Sequence, residues 1–248
     1  MMKAYKTILK TELKLSLRGM DMLIFAVIMP VLVLVILGLI YGDKPAFEGA
    51  SHSFIQQSFG ALASISICAG GVMGLPLVVS DYRSKQILKR FQVTPIRPTT
   101  ILLAEVTIYF LYALFSLLTL FAVARLFFGF TMQGSLLQFL LGWVLVMVSM
   151  FSIGMMVGGI AKNAKIAGII ASALYFPMLI FSGATLPYEV MPVPMQKVVD
   201  VLPLTQGIKI LKSATLDLPM NHVLLPILVM VAIALVCSVV AIRFFRWE

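Results

Sequence analysis

Residues Met22–Tyr41 read MLIFAVIMPVLVLVILGLIY, twenty positions without a charged or amide side chain. A bilayer core of about 30 Å is crossed by ~20 apolar residues in a helix, and this run has that length. It is continuously apolar and does not alternate, so it does not suit a barrel strand. Working outward, five further stretches qualify as spans: 59–80, 101–123, 136–160, 166–181 and 223–242. The fold expected is therefore an all-α membrane protein with six transmembrane helices. Composition agrees: the chain is 61% hydrophobic and 12% charged, with mean hydropathy +1.05, where a soluble domain carries roughly 25% charged residues. So few charges could not cover a water-facing surface, which excludes a disordered chain, a disulfide scaffold and a nucleic-acid-binding globule.

The formal charge of +9 is explained by its placement. An even number of spans puts both termini on one side. That side then holds Lys3, Lys6, Lys10, Lys14, Arg18, Arg83, Lys85, Lys89, Arg90, Arg97, Lys162, Lys165, Arg243 and Arg246, fourteen of the nineteen Lys and Arg residues. The other side keeps Lys44, Arg125, Lys197, Lys209 and Lys212, offset by Asp43, Glu48, Glu189, Asp200 and Asp217. The positive-inside rule reads this as a multi-pass protein of the cell membrane with both termini cytoplasmic. No nucleic acid is needed to account for the charge. A cleaved signal peptide is not expected, because 21 residues precede the first apolar run and no small-residue cleavage site follows it.

Several segments carry more than lipid-facing filler. In residues 2–18, Tyr5, Ile8, Leu9 and Leu13 fall near helical spacing, while Lys6, Lys10, Lys14 and Arg18 recur on a neighbouring face. This predicts either an amphipathic helix in the inner headgroup layer or a solvated leader. The loop after the second span predicts a short cytoplasmic helix over 82–94. Ile87, Leu88 and Phe91 form its apolar stripe, among Arg83, Lys85, Lys89 and Arg90, and Pro95 and Pro98 stop it. Its stripe either lies back on the membrane or docks into a groove on a partner. Residues 183–215 are too apolar for a plain outer loop. Pro187, Pro192, Pro194 and Pro203 also break them too often for a span. They read as re-entrant half-helices in the outer leaflet, before the last span.

Within the spans, Pro30, Pro76 and Pro177 invite kinks, and the pairs Gly70/Gly74 and Gly154/Gly158 allow close helix packing. Glu105, near the start of a span, is expected to snorkel or to pair with Arg97. Cys68 and Cys237 are expected to be buried free thiols, and His52 and His222 to be solvated. The sequence holds no G-x-x-x-x-G-K-[ST], H-E-x-x-H or G-x-S-x-G, and no paired-cysteine metal spacing. No catalytic group, metal or cofactor is therefore assigned to this chain.

This order of parts resembles the membrane subunit, or permease, of type-2 ABC exporters. The loop match rests on Asp81, Arg83, Leu88, Val93-Thr94-Pro95 and Leu102-Leu103, with Lys85-Gln86 where that family has a Gly-Thr pair. The later match rests on Ser182-Gly183, Pro187, Pro192 and Leu202-Pro203-Leu204-Thr205. The resemblance implies a non-enzymatic subunit paired with a second copy of itself or a paralogous permease. Separate P-loop ATPase subunits would hold ATP and Mg, and Arg83, Lys85, Ile87, Leu88, Lys89, Arg90 and Phe91 would couple to them. It also implies export. The Met-rich apolar spans favour a lipophilic substrate (an antibiotic, drug, amphipathic peptide or lipid), with Phe59, Ser64, Met73, Tyr175, Phe176 and Met178 as path candidates. Such a transporter would confer efflux and antibiotic resistance. Export of a polysaccharide or lipid-linked glycan, and a stand-alone membrane immunity or sensing module, remain the alternatives.

Overall fold

In lipid a backbone N–H or C=O finds no water, so a crossing segment has to satisfy its own hydrogen bonds. The computed structural model describes residues 2–42, 44, 52–87, 98–183, 188, 191–219 and 223–244. Among these the regular elements are all helical. Helix α1 spans Met2–Gly19, and the six candidate spans are α2 (Asp21–Tyr41), α3 (Phe54–Ser84), α4 (Thr99–Phe128), α5 (Leu136–Ile160), α6 (Ala164–Phe181) and α9 (Leu224–Phe244). Two shorter helices, α7 (Val193–Val199) and α8 (Pro203–Leu216), precede the last span. The chain is thus an all-α, multi-pass membrane protein.

Helix α3 is the axis of the bundle. Its most apolar window is 83% buried, against 28% or less for α2, α6 and α9. The outer helices therefore turn Leu, Ile and Val outward, as lipid contact requires. Glycine lets α3 be approached so closely. A Cβ at Gly154 of α5 would overlap the carbonyl oxygen of Gly71 on α3, and one at Gly158 would stand 3.0 Å from Pro76 Cα. Gly70 and Gly74 serve α4 in the same way, with the Tyr109 ring laid across both. Both small-residue pairs are packing surfaces. Helix α9 runs along α5, where Ser149 Oγ donates to the Met230 carbonyl at 2.9 Å and Ser152 Oγ lies 3.0 Å from Ser238 Oγ.

Two of the expected kinks take the form of π-turns. Ile24–Ile28 precedes Pro30, and Ala69–Gly74 precedes Pro76. Proline has no N–H for the preceding turn and its ring crowds the carbonyl four residues back, so the wider turn absorbs the mismatch. Helix α6 ends where Ser182 leads into Gly183 at φ 92°, a conformation that favours glycine.

The second span is longer than the expected 59–80. A capping box, Ser53 with Gln56, starts it at Phe54. At the other end it runs unbroken through Tyr82 and Arg83 to Ser84 and stops where Gln86 takes φ 55°. Residues 82–84, expected to open a separate cytoplasmic helix, are thus the last turn of α3. Of the remainder of that expected helix (82–94), residues 88–94 lie outside the described residues. The third span also overruns its expected end at Val123, continuing to Phe128 because Arg125 folds onto the Phe130 carbonyl at 3.1 Å.

The segment expected to form half-helices contains α7 and α8. At 1.5 Å per residue, α8 is about 21 Å long, short of a span. Leu204, Ile208, Ile210 and Leu211 are buried. Gly60 admits Leu211 against α3, and Gly142 admits Ile210 against α5. Asp200 anchors the entrance to α8 by accepting from Tyr188 at 3.1 Å and Lys209 at 2.7 Å.

Gly154→Ala should push α5 off α3 and cost about 1–3 kcal/mol, as overpacking does. Gly19→Ala, which points into open space, should leave the thermal midpoint in detergent unchanged.

Candidate functional site

Successive helix residues point about 100° apart, so the last turn of α3 sends three neighbours in three directions. Asp81 faces outward and pairs with Lys85 at 2.8 Å, an exposed contact worth at most a few tenths of a kcal/mol. Tyr82 faces α1 and α4. Arg83 turns inward and is 5% exposed, its Nη1 donating to the Gly159 carbonyl at 2.8 Å. Gly159 lies in the last turn of α5, where unpaired carbonyls and the helix dipole both favour a cation. Arg83 therefore ties the ends of α3 and α5 together.

Tyr82 makes the second tie. Its hydroxyl lies 2.7 Å from Glu12 Oε2 on α1 and 2.9 Å from Glu105 Oε1 on α4. Glu105 is 4% exposed, so it does not snorkel to the interface. Arg97, its expected partner, lies outside the described residues. Two more contacts seat α1 on α4: Tyr5 hydroxyl to Thr107 Oγ1 at 2.7 Å, and Ser16 Oγ to Tyr112 hydroxyl at 3.0 Å. Leu9 and Leu13 pack against the core, while Lys6, Lys10, Lys14 and Arg18 stay exposed. The amphipathic α1 thus rests one face on the bundle itself.

Between α1, α2, α3 and α4 lies a cavity of about 450 Å³. Its lining includes Leu15, Met22, Leu77 and Val78, with Glu12, Asp21, Asp81 and Glu105 beside Tyr82 and Tyr109. Four of the ten acidic residues of a chain with charge +9 therefore line one cavity, and among the described residues no Lys, Arg or His lines it. A second cavity, of about 460 Å³, lies between α4, α5 and α9 and is mainly apolar. A third, of about 250 Å³, lies between α5, α8 and α9.

Of the residues proposed for coupling, Arg83 is buried, Lys85 is exposed and Ile87 is half-buried. Leu88, Lys89, Arg90 and Phe91 lie outside the described residues. Among the path candidates, Phe59, Ser64, Tyr175 and Met178 are buried, Met73 is half-buried and Phe176 is half exposed. Phe59 stacks on Phe130 at 4.4 Å and Ser64 Oγ donates to the Ala61 carbonyl at 2.6 Å. Ser172 donates weakly to Met73 Sδ at 3.9 Å, and the Tyr175 and Phe176 rings meet edge-on at 5.4 Å. None of the six lines the three cavities.

Sequence reasoning missed Glu12, Ser16 and Tyr82. One signal was available: Tyr5, Leu9, Glu12 and Ser16 share one helical stripe, so the only acid of α1 falls on its bundle face. Among the described residues no cluster of His, Cys, Asp and Glu is arranged to hold a metal. Cys68 and Cys237 are free and buried.

A central helix enclosed by apolar spans, with an amphipathic helix bound across one end, defines a polytopic membrane protein. The sequence matches the ABC-2 type transporter family over residues 3–216, and the chain belongs to that family. It is also similar to the inner membrane transport permease YhhJ of Escherichia coli (strain K12) and of Shigella flexneri, at 27% identity over 132 residues in each. The alignment takes in 53% of this chain and 35% of those relatives, so the chain spans about a third of their length.

Arg83→Met should leave the α5 terminus uncapped and cost about 1.5–3 kcal/mol, the range for a hydrogen bond to a charged group. Lys85→Met, at an exposed position, should shift the detergent unfolding midpoint by far less.

Proposed function

We propose that the chain is the membrane subunit of an ATP-driven exporter in the cell membrane, with both termini cytoplasmic. It works with a second permease copy or a paralogue and with separate P-loop ATPase subunits that carry ATP and Mg. The supporting observation is the continuity of α3. The most buried helix runs from Phe54 to Ser84 and leads directly into the segment 85–97. A push on that segment is therefore delivered to the axis of the bundle, and through Arg83 and Tyr82 to α5, α4 and α1. Alternating access biased by nucleotide state then needs no further lever.

The substrate class follows from the acidic cavity. Its lining combines apolar surface with four acidic residues, which suits a lipophilic molecule bearing positive charge, such as a cationic drug, antibiotic or amphipathic peptide. The phosphate of a lipid-linked glycan would meet those carboxylates unfavourably.

Leu88→Asp together with Phe91→Asp should abolish co-purification of a P-loop ATPase and uncouple hydrolysis from transport. Undiminished transport by that double variant would remove the docking role. In proteoliposomes containing the ATPase, lipophilic cations should stimulate hydrolysis several-fold more than neutral analogues. Stimulation by lipid-linked glycans alone would reverse the substrate assignment, and a fully functional chain that recruits no ATPase would make it a stand-alone module.

A further inference from the structure

The contacts of Tyr82 raise a question of proton count. A phenol carries one proton and can donate it to one carboxylate at a time. Its oxygen nevertheless lies within hydrogen-bond distance of two carboxyl groups, at 2.7 Å from Glu12 and 2.9 Å from Glu105. Were both carboxylates ionised, one contact would set two lone pairs against each other in a largely buried place. Both contacts are hydrogen bonds only when one carboxyl is itself protonated and donates to the phenol oxygen while the phenol donates to the other.

We propose that Tyr82, Glu12 and Glu105 hold one carboxyl proton between them and that this proton latches α1 to the bundle. Among the described residues, the polar groups facing the site are acidic, phenolic or hydroxyl. From α1 the site is faced by Glu12 and by Ser16, which is engaged with Tyr112. Helix α2 contributes Asp21, and α3 contributes Tyr82 and Asp81, the latter paired with Lys85. Helix α4 contributes Glu105 and Tyr109. Among the described residues no cation lines the cavity, and Arg83, next to Tyr82 in sequence, donates to the Gly159 carbonyl of α5.

The latch has a definite sign. Docking of α1 requires the bound proton, so the docked state is favoured at low pH and lost once rising pH removes that proton. With one proton involved, the ratio of loosened to docked α1 changes by at most about tenfold per pH unit. Leu9, Leu13 and the Tyr5–Thr107 contact still hold α1 near α4. Opening therefore means a gain in motion of α1 and not its detachment. The proposal does not depend on the identity of any ATPase or substrate.

Two measurements on the full chain in nanodiscs test it. Infrared spectroscopy at neutral pH should show the carbonyl stretch of a protonated carboxylic acid. That band should vanish in the Glu12→Gln, Glu105→Gln double variant. A spin label at Leu17→Cys, exposed on α1, should become more mobile as pH rises. With Glu105→Gln the amide supplies a permanent N–H donor in place of the proton, so the label should stay ordered at every pH. With Tyr82→Phe it should be mobile throughout. Absence of the acid band, its survival in the double variant, a pH-independent label in the parent chain, or an unchanged titration in Glu105→Gln would each overturn the latch. Should Tyr82→Phe fail to fold, the Glu105→Gln titration and the infrared band still decide.

Discussion

The backbone of α5 touches the backbone of α3 at Gly154 and Gly71, and much of the bundle follows from that contact. In lipid, burying apolar surface between helices brings little gain, because the alternative neighbour is equally apolar. Association depends instead on how closely backbones can approach and on polar contacts between them. Gly71, Gly154 and Gly158 set that distance on one side of α3, and Gly70 and Gly74 set it for the Tyr109 ring on the other. With α3 enclosed, α9 lies along α5 through Ser149 and Ser152, and α8 packs beside Gly60 and Gly142.

That enclosed helix gives the terminal end its character. Helix α3 emerges from the core at Asp81, Tyr82 and Arg83, and the three side chains reach respectively outward, to α1 with α4, and to α5. A force applied just beyond Ser84 is thereby shared among four helices within one turn. The acidic cavity beside Tyr82 makes the same region chemically distinct in a chain that is otherwise basic. The connection between helices and the acidic cavity thus occupy neighbouring ground.

Much of this was legible in advance, though unevenly. Met22–Tyr41 announced its span by length and composition, and Gly154/Gly158 announced a packing surface by spacing. Arg83 reads in sequence as part of a loop-like cytoplasmic stretch, whereas the continuation of α3 turns it onto the α5 terminus. Phe59, Ser64, Tyr175 and Met178 looked like path candidates because aromatic, sulfur and hydroxyl groups in a span attract attention. Their contacts are those of helix packing. Glu105 was read from its position near the interface, whereas its partner Tyr82 lies 23 positions away in sequence and Tyr82 in turn reaches Glu12, 70 positions from itself.

The sequence by itself determined the class of this protein and the number of its spans. Hydrophobicity per window is a local quantity, and a helix is the only solution for an isolated segment in lipid. It also determined which backbone positions could meet closely, since the absence of a Cβ is written in the letter G. Tertiary structure alone decided which helix became the axis, which way Tyr82 and Arg83 turn, and that four acids from four helices line one cavity. The spans are apolar all round, so no stripe within them marks a preferred face. The partner of each face is set by non-local crossings that a linear pattern does not encode.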